Sequence, residues 1–197
     1  MPSDQVHWDN AYSGADITQL GWYQDIHEVS LDLISKCDGK RIIDVGAGAT
    51  TLIGNLIELN YEVSALDISK IALDKLKQIY GDKIDYIHGN LTKNLNLKEY
   101  DIWHDRAALH FLLEKEERDS YILNLNSAIK SGGYAVIETF SIDGAKMCCG
   151  LDLYTYDEEM LCDLLSDEWE LIESNYHVHI NPRGGERPYV STLFKKI

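Results

Sequence analysis

The apolar residues of this chain repeat with two alternating periods. Short apolar runs, which are typical of buried strands, occupy the stretches 41–51 (closed by glycines), 61–69, 83–90, 100–105 and 134–140. Between them, apolar residues recur every three or four positions, as on one helix face, at 51–59, 70–80 and around 114–130. Strands that alternate with helical crossovers predict a parallel sheet with helices on both faces.

The pattern changes towards the C-terminal end. A helix is expected at 155–165, where Thr155 and Glu158 match a capping box. The stretches 169–180 and 188–196 then predict two consecutive strands joined by a Gly-rich loop, hence an antiparallel hairpin at the sheet edge. With a further helix at 26–36, the chain 1–197 is expected to form a single domain. Its class is α/β: a doubly wound, mostly parallel seven-stranded sheet with an antiparallel C-terminal hairpin.

Charge and composition narrow the function classes. The 33 acidic residues against 18 basic ones give a net charge of −15, which opposes binding to a nucleic-acid backbone. No stretch is apolar for the roughly 18 to 20 residues that span a bilayer, so we expect no membrane partner and a cytoplasmic protein. The four cysteines show no CxxC spacing, and His177 and His179 have no evident third ligand, so no metal site is expected.

A glycine turn follows the first strand. Asp44 comes just before Gly46, Ala47 and Gly48, and Asp67 closes the second strand nineteen residues after Gly48. A carboxylate at that position can accept hydrogen bonds from both ribose hydroxyls of a nucleoside. The cofactor is therefore expected to be a nicotinamide dinucleotide or S-adenosylmethionine.

Two features separate these cofactors. Dinucleotide fingerprints place a third glycine three residues after the second, whereas this chain has Thr51 there. Asp44 lies two residues before the first glycine, where a carboxylate can face the cationic end of a ligand. S-adenosylmethionine carries an ammonium and a sulfonium and has no pyrophosphate, so the pattern favours it.

These stretches resemble the class I S-adenosylmethionine-dependent methyltransferases. "IIDVGAGAT" is similar to the first motif of that family, "ALDIS" to the second, and "HGNL" stands where the family often has an acidic residue against the adenine. The resemblance implies a Rossmann-like methyltransferase fold and S-adenosyl-L-methionine as cofactor. It also implies a cofactor site formed by Asp44, Gly46, Ala47, Gly48, Asp67, Ile68, Asn90 and Leu91. Asn90 departs from the usual acid, but an amide can still hydrogen-bond the adenine amino group.

A closer resemblance concerns the N-terminal segment. "HWDNAY … GWYQ" is similar to small seven-strand methyltransferases that include elongation-factor lysine methyltransferases. In those proteins the N-terminal aromatics fold over the cofactor. The resemblance therefore implies that segment 1–36 covers the cofactor, with Trp8 and Tyr12 in contact with it. Alternatively, these aromatics are core or surface-covering residues.

The fourth strand ends in His104, Asp105 and Arg106. In the expected fold this strand end lies beside the first strand, close to the reacting centre. The three residues are therefore the catalytic candidates, with Asp105 and Arg106 as a pair that shapes the pocket. His104 or His110 is the candidate base, because only histidine titrates near neutrality without perturbation. The alternative is an ion pair that only fixes the loop, with both histidines buried in the core.

These expectations combine into a function. The leading hypothesis is an S-adenosylmethionine-dependent methyltransferase that transfers a methyl group in line to a small-molecule acceptor. Acceptor recognition is expected in the loop 141–156. A protein lysine methyltransferase, a non-catalytic S-adenosylmethionine-binding module and an NAD-dependent oxidoreductase remain as alternatives. No stretch has the residues with which related enzymes hold a nucleic-acid base, so nucleic acid is not an expected substrate.

Overall fold

A computed structural model describes residues 5–14 and 16–197 of the chain. Nine strands are present among these residues: β1 (Arg41–Val45), β2 (Glu62–Asp67), β3 (Asp85–His88), β4 (Tyr100–Arg106), β5 (Ile129–Phe140), β6 (Met147–Cys148), β7 (Leu151–Asp152), β8 (Trp169–Ile180) and β9 (Glu186–Lys196). The helices are α1 (Gln5–Tyr12), α2 (Glu28–Ser35), α3 (Leu52–Glu58), α4 (Lys70–Tyr80), α5 (Lys115–Ala128) and α6 (Glu158–Leu165).

Seven strands form one sheet in the order β3-β2-β1-β4-β5-β9-β8. The first five pair in parallel, and β9 joins β5 and β8 antiparallel. The winding reverses between β1 and β4, which is where ligands bind in open α/β sheets. The predicted doubly wound seven-stranded sheet with an antiparallel hairpin is therefore confirmed. None of the described helices has the length and apolar character needed to cross a membrane.

Alternate residues of each strand fill two separate cores. Ile43 and Trp103 point to the face covered by α5 and α6. Ile42 and Ile102 point to the other face, where they meet α2 and α3. Because side chains alternate along a strand, Asp44 and His104 belong to the second face, and they are register partners in adjacent strands. The face under α2 thus changes from apolar to charged at the carboxyl ends of β1 and β4.

Three local predictions differ from the structure. Helix α6 is capped by Asp157, whose side chain accepts from Met160 N, and the Thr155 hydroxyl instead accepts a hydrogen bond from Lys146. The predicted capping box is therefore wrong. Helix α5 ends at Ala128, two residues before the predicted helix end at 130, and β5 begins at Ile129. Within 141–156, β6 and β7 form a small antiparallel hairpin that the pattern did not predict.

The roof of the molecule is α1, which docks on the start of α4. Asp9 Oδ1 accepts hydrogen bonds from Ser69 Oγ at 2.7 Å and from Ile71 N at 3.2 Å. Ser69 is the N-cap of α4, and its Oγ accepts from Ala72 N. Helix α1 is therefore anchored to the backbone that directly follows Asp67.

The glycine turn after β1 needs glycine for two reasons. Gly46 has φ of 63°, in the left-handed region, and a Cβ added to it would lie 2.5 Å from the Cβ of Ala108. A Cβ on Gly48, which has φ of 57°, would collide with the Tyr12 hydroxyl. The turn thus lets the loop after β4 and helix α1 pack directly against the backbone.

We predict that Gly46→Ala lowers the free energy of unfolding more than Gly184→Ala does. Gly184 also has a positive φ, 79°, but an added Cβ there meets nothing within 4 Å. Gly184→Ala, the control, should lower the free energy of unfolding by about 1–2 kcal/mol because of its left-handed backbone. Gly46→Ala should lower it by about 1–3 kcal/mol more because the added Cβ overpacks the turn. Urea unfolding of both variants measures the difference. Equal losses would show that the contact with Ala108 does not constrain the turn.

Candidate functional site

An open cavity of about 880 Å³ lies beyond the carboxyl ends of the parallel strands. Its largely apolar walls are typical of small-molecule sites. Of the predicted site residues it is lined by Trp8, Tyr12, Gly46, Asp67, Ile68, Asn90, Leu91 and Arg106. A second cavity, of about 500 Å³, shares Tyr12, Trp22, Gly46 and Arg106 with the first and also reaches Asp44, Ala47 and His104. The structure thus brings most of the predicted set to one place.

Asp67 lies at the end of β2 and joins two backbone segments. Its Oδ2 accepts from Gly48 N at 2.7 Å and its Oδ1 from Ser69 N at 2.6 Å. Burial raises the pKa of Asp67 to about 6, although these two hydrogen bonds counteract the shift. A carboxylate can accept about four hydrogen bonds, so each oxygen retains a lone pair beyond its backbone contact. This residue is therefore both a brace for the glycine turn and an available acceptor on the cavity wall.

Asn90 differs from its expected use. Its Oδ1 accepts hydrogen bonds from Thr92 N at 2.8 Å and from Thr92 Oγ1 at 2.9 Å. Both lone pairs of the amide oxygen are thereby used, so the oxygen has no capacity left for the adenine amino group. What remains at the cavity is the amide NH2, which is a donor. The hydrogen-bond pattern therefore does not support the expected contact with the adenine amino group. The NH2 group of Asn90 would instead suit an acceptor atom of a bound ring.

The N-terminal aromatics close one side of the cavity. The Trp8 ring lies 4.9 Å from Phe111 and 6.0 Å from Trp22, and the Tyr12 ring lies 5.9 Å from Trp22. Tyr12 is buried and Trp8 is half-buried. Trp22 and Phe111 were not among the predicted residues, although Trp22 belongs to the quoted "GWYQ" stretch. The N-terminal aromatics thus line the cavity, and that they cover a cofactor stays a prediction.

The predicted cation-facing Asp44 already faces a cation of the chain itself. Asp44 Oδ1 lies 2.7 Å from His104 Nδ1, and Glu138 Oε1 lies 3.7 Å from His104 Nε2. Burial disfavours a charged ring, but Asp44 and Glu138 outweigh it and raise the pKa of His104 to about 9. His104 is only 1% exposed. It is held as an imidazolium inside the sheet, so it cannot act as the predicted base at neutral pH.

Glu138 was missed by the sequence analysis. It accepts hydrogen bonds from Ser30 Oγ and, at 3.2 Å, from Ser191 Oγ, in addition to its interaction with His104. Burial raises its pKa, but the hydrogen bond from His104 and the charge of Arg106 prevail, and the pKa falls to about 2. The available signal was an acid in the middle of the apolar run "YAVIETF".

Asp105 and Arg106 do not form the predicted pair. As consecutive strand residues they point to opposite faces of the sheet. Asp105 is fully buried and accepts from Ala108 N at 2.9 Å and Leu109 N at 3.1 Å, which fixes the turn after β4. Arg106 Nη1 donates to the backbone oxygen of Trp22 at 3.0 Å, and its guanidinium lies 5.2 Å from the centre of the Tyr189 ring.

The second candidate base, His110, is also engaged. It is fully buried, its Nδ1 accepts from Phe140 N at 3.3 Å and lies 3.1 Å from Thr139 Oγ1. Burial and the charge of Arg106 lower the pKa of His110 to about 3. Because Nδ1 is an acceptor in the neutral ring, Nε2 carries the proton. His110 therefore presents a donor to the cavity, and the geometry does not support a role as base.

Comparison with known proteins places this geometry in context. Residues 42–133 match a family model described as a methyltransferase domain. The mitochondrial ubiquinone biosynthesis O-methyltransferase of Schizosaccharomyces pombe is 25% identical over 109 residues, which cover 52% of this chain and 39% of that protein. The chain thus spans about two fifths of the length of this curated relative.

Solved structures match over nearly the whole chain. A S-adenosylmethionine-dependent methyltransferase from Anabaena variabilis aligns with a TM-score of 0.78 at 15% identity, covering 99% of this chain and 94% of that one. The 1,6-didemethyltoxoflavin-N1-methyltransferase of Burkholderia thailandensis, solved with 1,6-didemethyltoxoflavin and S-adenosylhomocysteine, aligns with a TM-score of 0.74 at 19% identity. That match covers 98% of this chain and 87% of the other.

The structural matches confirm the predicted Rossmann-like methyltransferase fold. The family match extends over 42–133, and the single methyltransferase domain expected over 1–197 stays a prediction. The finer resemblance to elongation-factor lysine methyltransferases is not shown by these matches.

The buried imidazolium predicts a pH dependence of stability. Because the pKa of His104 is higher in the folded state than in the unfolded one, its stabilisation is fully present below pH 6.5 and is lost as the pH rises through about 9. We expect the unfolding free energy to fall between about pH 7 and pH 9, and His104→Gln to remove this slope. Urea unfolding at both pH values measures it, with His88→Gln, at the surface, as control. An undiminished slope in His104→Gln would contradict the assignment.

Proposed function

We propose that this chain is an S-adenosylmethionine-dependent methyltransferase with a small-molecule acceptor. The observation that carries the proposal is a single cavity with a nucleoside-type end and an apolar end. Asp67, Asn90 and Leu91 line the first end, beside the glycine turn, and Phe111 and Phe140 line the second. The family match over 42–133 supports the same activity.

The residues present fit such a cofactor. The carboxylate of Asp67 keeps acceptor capacity towards the cavity, and the Asn90 amide group offers a donor to a ring nitrogen. Gly46 lines the cavity without a side chain, and Trp8 and Tyr12 also line it. Ala47 and Asp44 lie against the second cavity, where the amino-acid end of the ligand would extend.

The chemistry required of the protein is modest. When bound, the cofactor supplies a methyl group that its positive sulfur already activates. The chain then has to align the acceptor with that carbon and exclude water. Neither His104 nor His110 has a nitrogen free to take a proton. The proposal therefore assigns transfer to alignment in a dry, aromatic-walled cavity, and it favours acceptor atoms that carry an available lone pair at neutral pH.

A small acceptor fits this cavity better than a lysine side chain. The acceptor end contains the guanidinium of Arg106, whose charge repels an ammonium group approaching it. The two named relatives, by their descriptions, act in ubiquinone biosynthesis and on a toxoflavin precursor. The likeness of "HWDNAY … GWYQ" to lysine methyltransferases keeps a protein acceptor as the second candidate. The binding-module and NAD alternatives gain no support from the matches.

The cofactor assignment is tested by calorimetry with S-adenosylhomocysteine. Asp67→Ala should weaken its binding roughly 10- to 150-fold, because about 1.5 to 3 kcal/mol of charge-assisted hydrogen bonding is lost. Asp82→Ala, a matched change at an exposed position, should leave the affinity unchanged. NAD should produce no binding heat with the native chain. An unaltered affinity in Asp67→Ala, or binding of NAD alone, would contradict the proposal.

A turnover screen then addresses the acceptor. Release of S-adenosylhomocysteine is measured with panels of thiols, amines and acids, and in parallel with denatured cell lysate as a source of lysine side chains. Turnover with a small molecule supports the proposal, and turnover confined to protein supports the second candidate. Binding of the cofactor without turnover in any panel would favour a non-catalytic module.

A further inference from the structure

Arg106 forms no salt bridge with a carboxylate of the described residues, although Glu138 is near enough to interact with its charge. Its Nη1 donates to Trp22 O, while Nε and Nη2 are buried and form no hydrogen bond with residues 5–14 or 16–197. Burial of guanidinium donors without acceptors is unfavourable unless a ligand supplies them. Such unused, buried donors on a cavity wall indicate a group that accepts hydrogen bonds and carries negative charge.

The natural counter-ion of Arg106 is already used. Glu138 is its register partner in β5 and lies on the same face of the sheet. However, the oxygens of Glu138 accept from Ser30 and Ser191 and lie near His104. The ion pairs found in the described part of the chain include none with Arg106. The guanidinium is therefore left for a partner from outside.

Two neighbouring histidines contribute unpartnered ring nitrogens near Arg106. His27 lines the second cavity and His110 the first, and both are buried. Burial and then the charge of Arg106 lower the pKa of each to about 3, so both rings are neutral. His27 Nδ1 and His110 Nε2 are buried without a hydrogen-bond partner among the described residues. In a chain of net charge −15, the region around Arg106 combines a full positive charge with two further unused ring nitrogens.

The position of the guanidinium separates it from the nucleoside end. Asp67 ends β2, whereas Arg106 reaches across β5 to pack on the Tyr189 ring of β9. In the sheet order, β9 lies four strands from β2, about 19 Å at a spacing of about 4.8 Å per strand. Phe140 and Cys148 line the same cavity. Cys148 lies in the loop 141–156, where acceptor recognition is expected, and Phe140 directly precedes that loop. Arg106 also lines the second cavity, so its charge lies where the two cavities meet, towards Phe140 and Tyr189 and away from Asp67.

We infer that the acceptor is a small aromatic carboxylate, anchored by the guanidinium of Arg106. The inference rests on the proposed methyl transfer and adds the chemical class of its substrate. Guanidinium binds carboxylate through two parallel hydrogen bonds, which Nε and Nη2 of Arg106 are free to form. The rings of Phe111, Phe140 and Tyr189 provide the faces on which an aromatic body stacks.

The test compares acids with their neutral amides. Benzoate and benzamide are titrated into the native chain saturated with S-adenosylhomocysteine, and turnover is measured with 4-hydroxybenzoate, 4-mercaptobenzoate and anthranilate against the corresponding amides. The native chain should prefer the acids in both assays. Arg106→Gln should weaken the acids roughly 10- to 150-fold and leave the amides unchanged. Arg106→Lys should retain part of the preference, and Arg183→Gln, an exposed arginine, all of it.

The carboxylate of the cofactor is a second source of the same chemistry. Binding of S-adenosylhomocysteine and of 5′-methylthioadenosine, which lacks the amino-acid end, is therefore measured with Arg106→Gln. If only S-adenosylhomocysteine loses affinity, Arg106 binds the cofactor and the inference is overturned. It is also overturned if the native chain shows no preference for acids, or if Arg106→Gln keeps that preference. Failure of the native chain to bind S-adenosylhomocysteine at all would instead overturn the proposed methyl transfer.

Discussion

The buried charge cluster of Asp44, His104 and Glu138 organises the centre of this molecule. These side chains come from β1, β4 and β5, three neighbouring strands, and their parallel register places them on one face. An imidazolium between two carboxylates compensates charges that would be costly if buried singly. This compensation depends on the register of β1, β4 and β5, which places the three side chains next to one another. The same register positions the glycine turn after β1 and the loop after β4, and the cavity opens between them.

At the carboxyl end of β4, the residues on the two faces of the sheet have different roles. On the side of α5 and α6, Asp105 accepts backbone hydrogen bonds and fixes the turn that carries Ala108 against Gly46. On the side of α2, Arg106 holds the loop of Trp22 and reaches Tyr189 on β9. Consecutive residues of β4 therefore have different roles: Asp105 fixes a turn, and Arg106 lines the cavity. The site is assembled from elements far apart in sequence, and β4 connects all of them.

Periodicity and turn chemistry predicted the fold because they are local properties. The strand, the glycine turn and the acid that follows it lie within one stretch, so Gly48 and Asp67 could be expected to lie together, as their hydrogen bond shows. That they bind a ligand stays a prediction. The prediction that Asp105 and Arg106 form a pair was wrong, because consecutive residues of a strand point to opposite faces of the sheet. The states of His104 and His110 depend on partners about 30 or more residues away, Asp44, Glu138 and Phe140. No local pattern reports such contacts. Glu138 did have a local signal, an acid inside an apolar run, but its partners Ser30, His104 and Ser191 lie far from it in sequence.

The attachment of α1 has a consequence for release from the cavity. Asp9 is hydrogen-bonded to Ser69 and Ile71, the residues that directly follow the carboxylate of Asp67 and the wall residue Ile68. A ligand that orders this backbone also orders the residues to which α1 is anchored. Ligand binding and the docking of α1 are therefore coupled, and each favours the other. Opening the roof means breaking these contacts at the first turn of α4, which is a local unfolding step. Release of a ligand from beneath α1 would therefore compete with two hydrogen bonds at the start of α4.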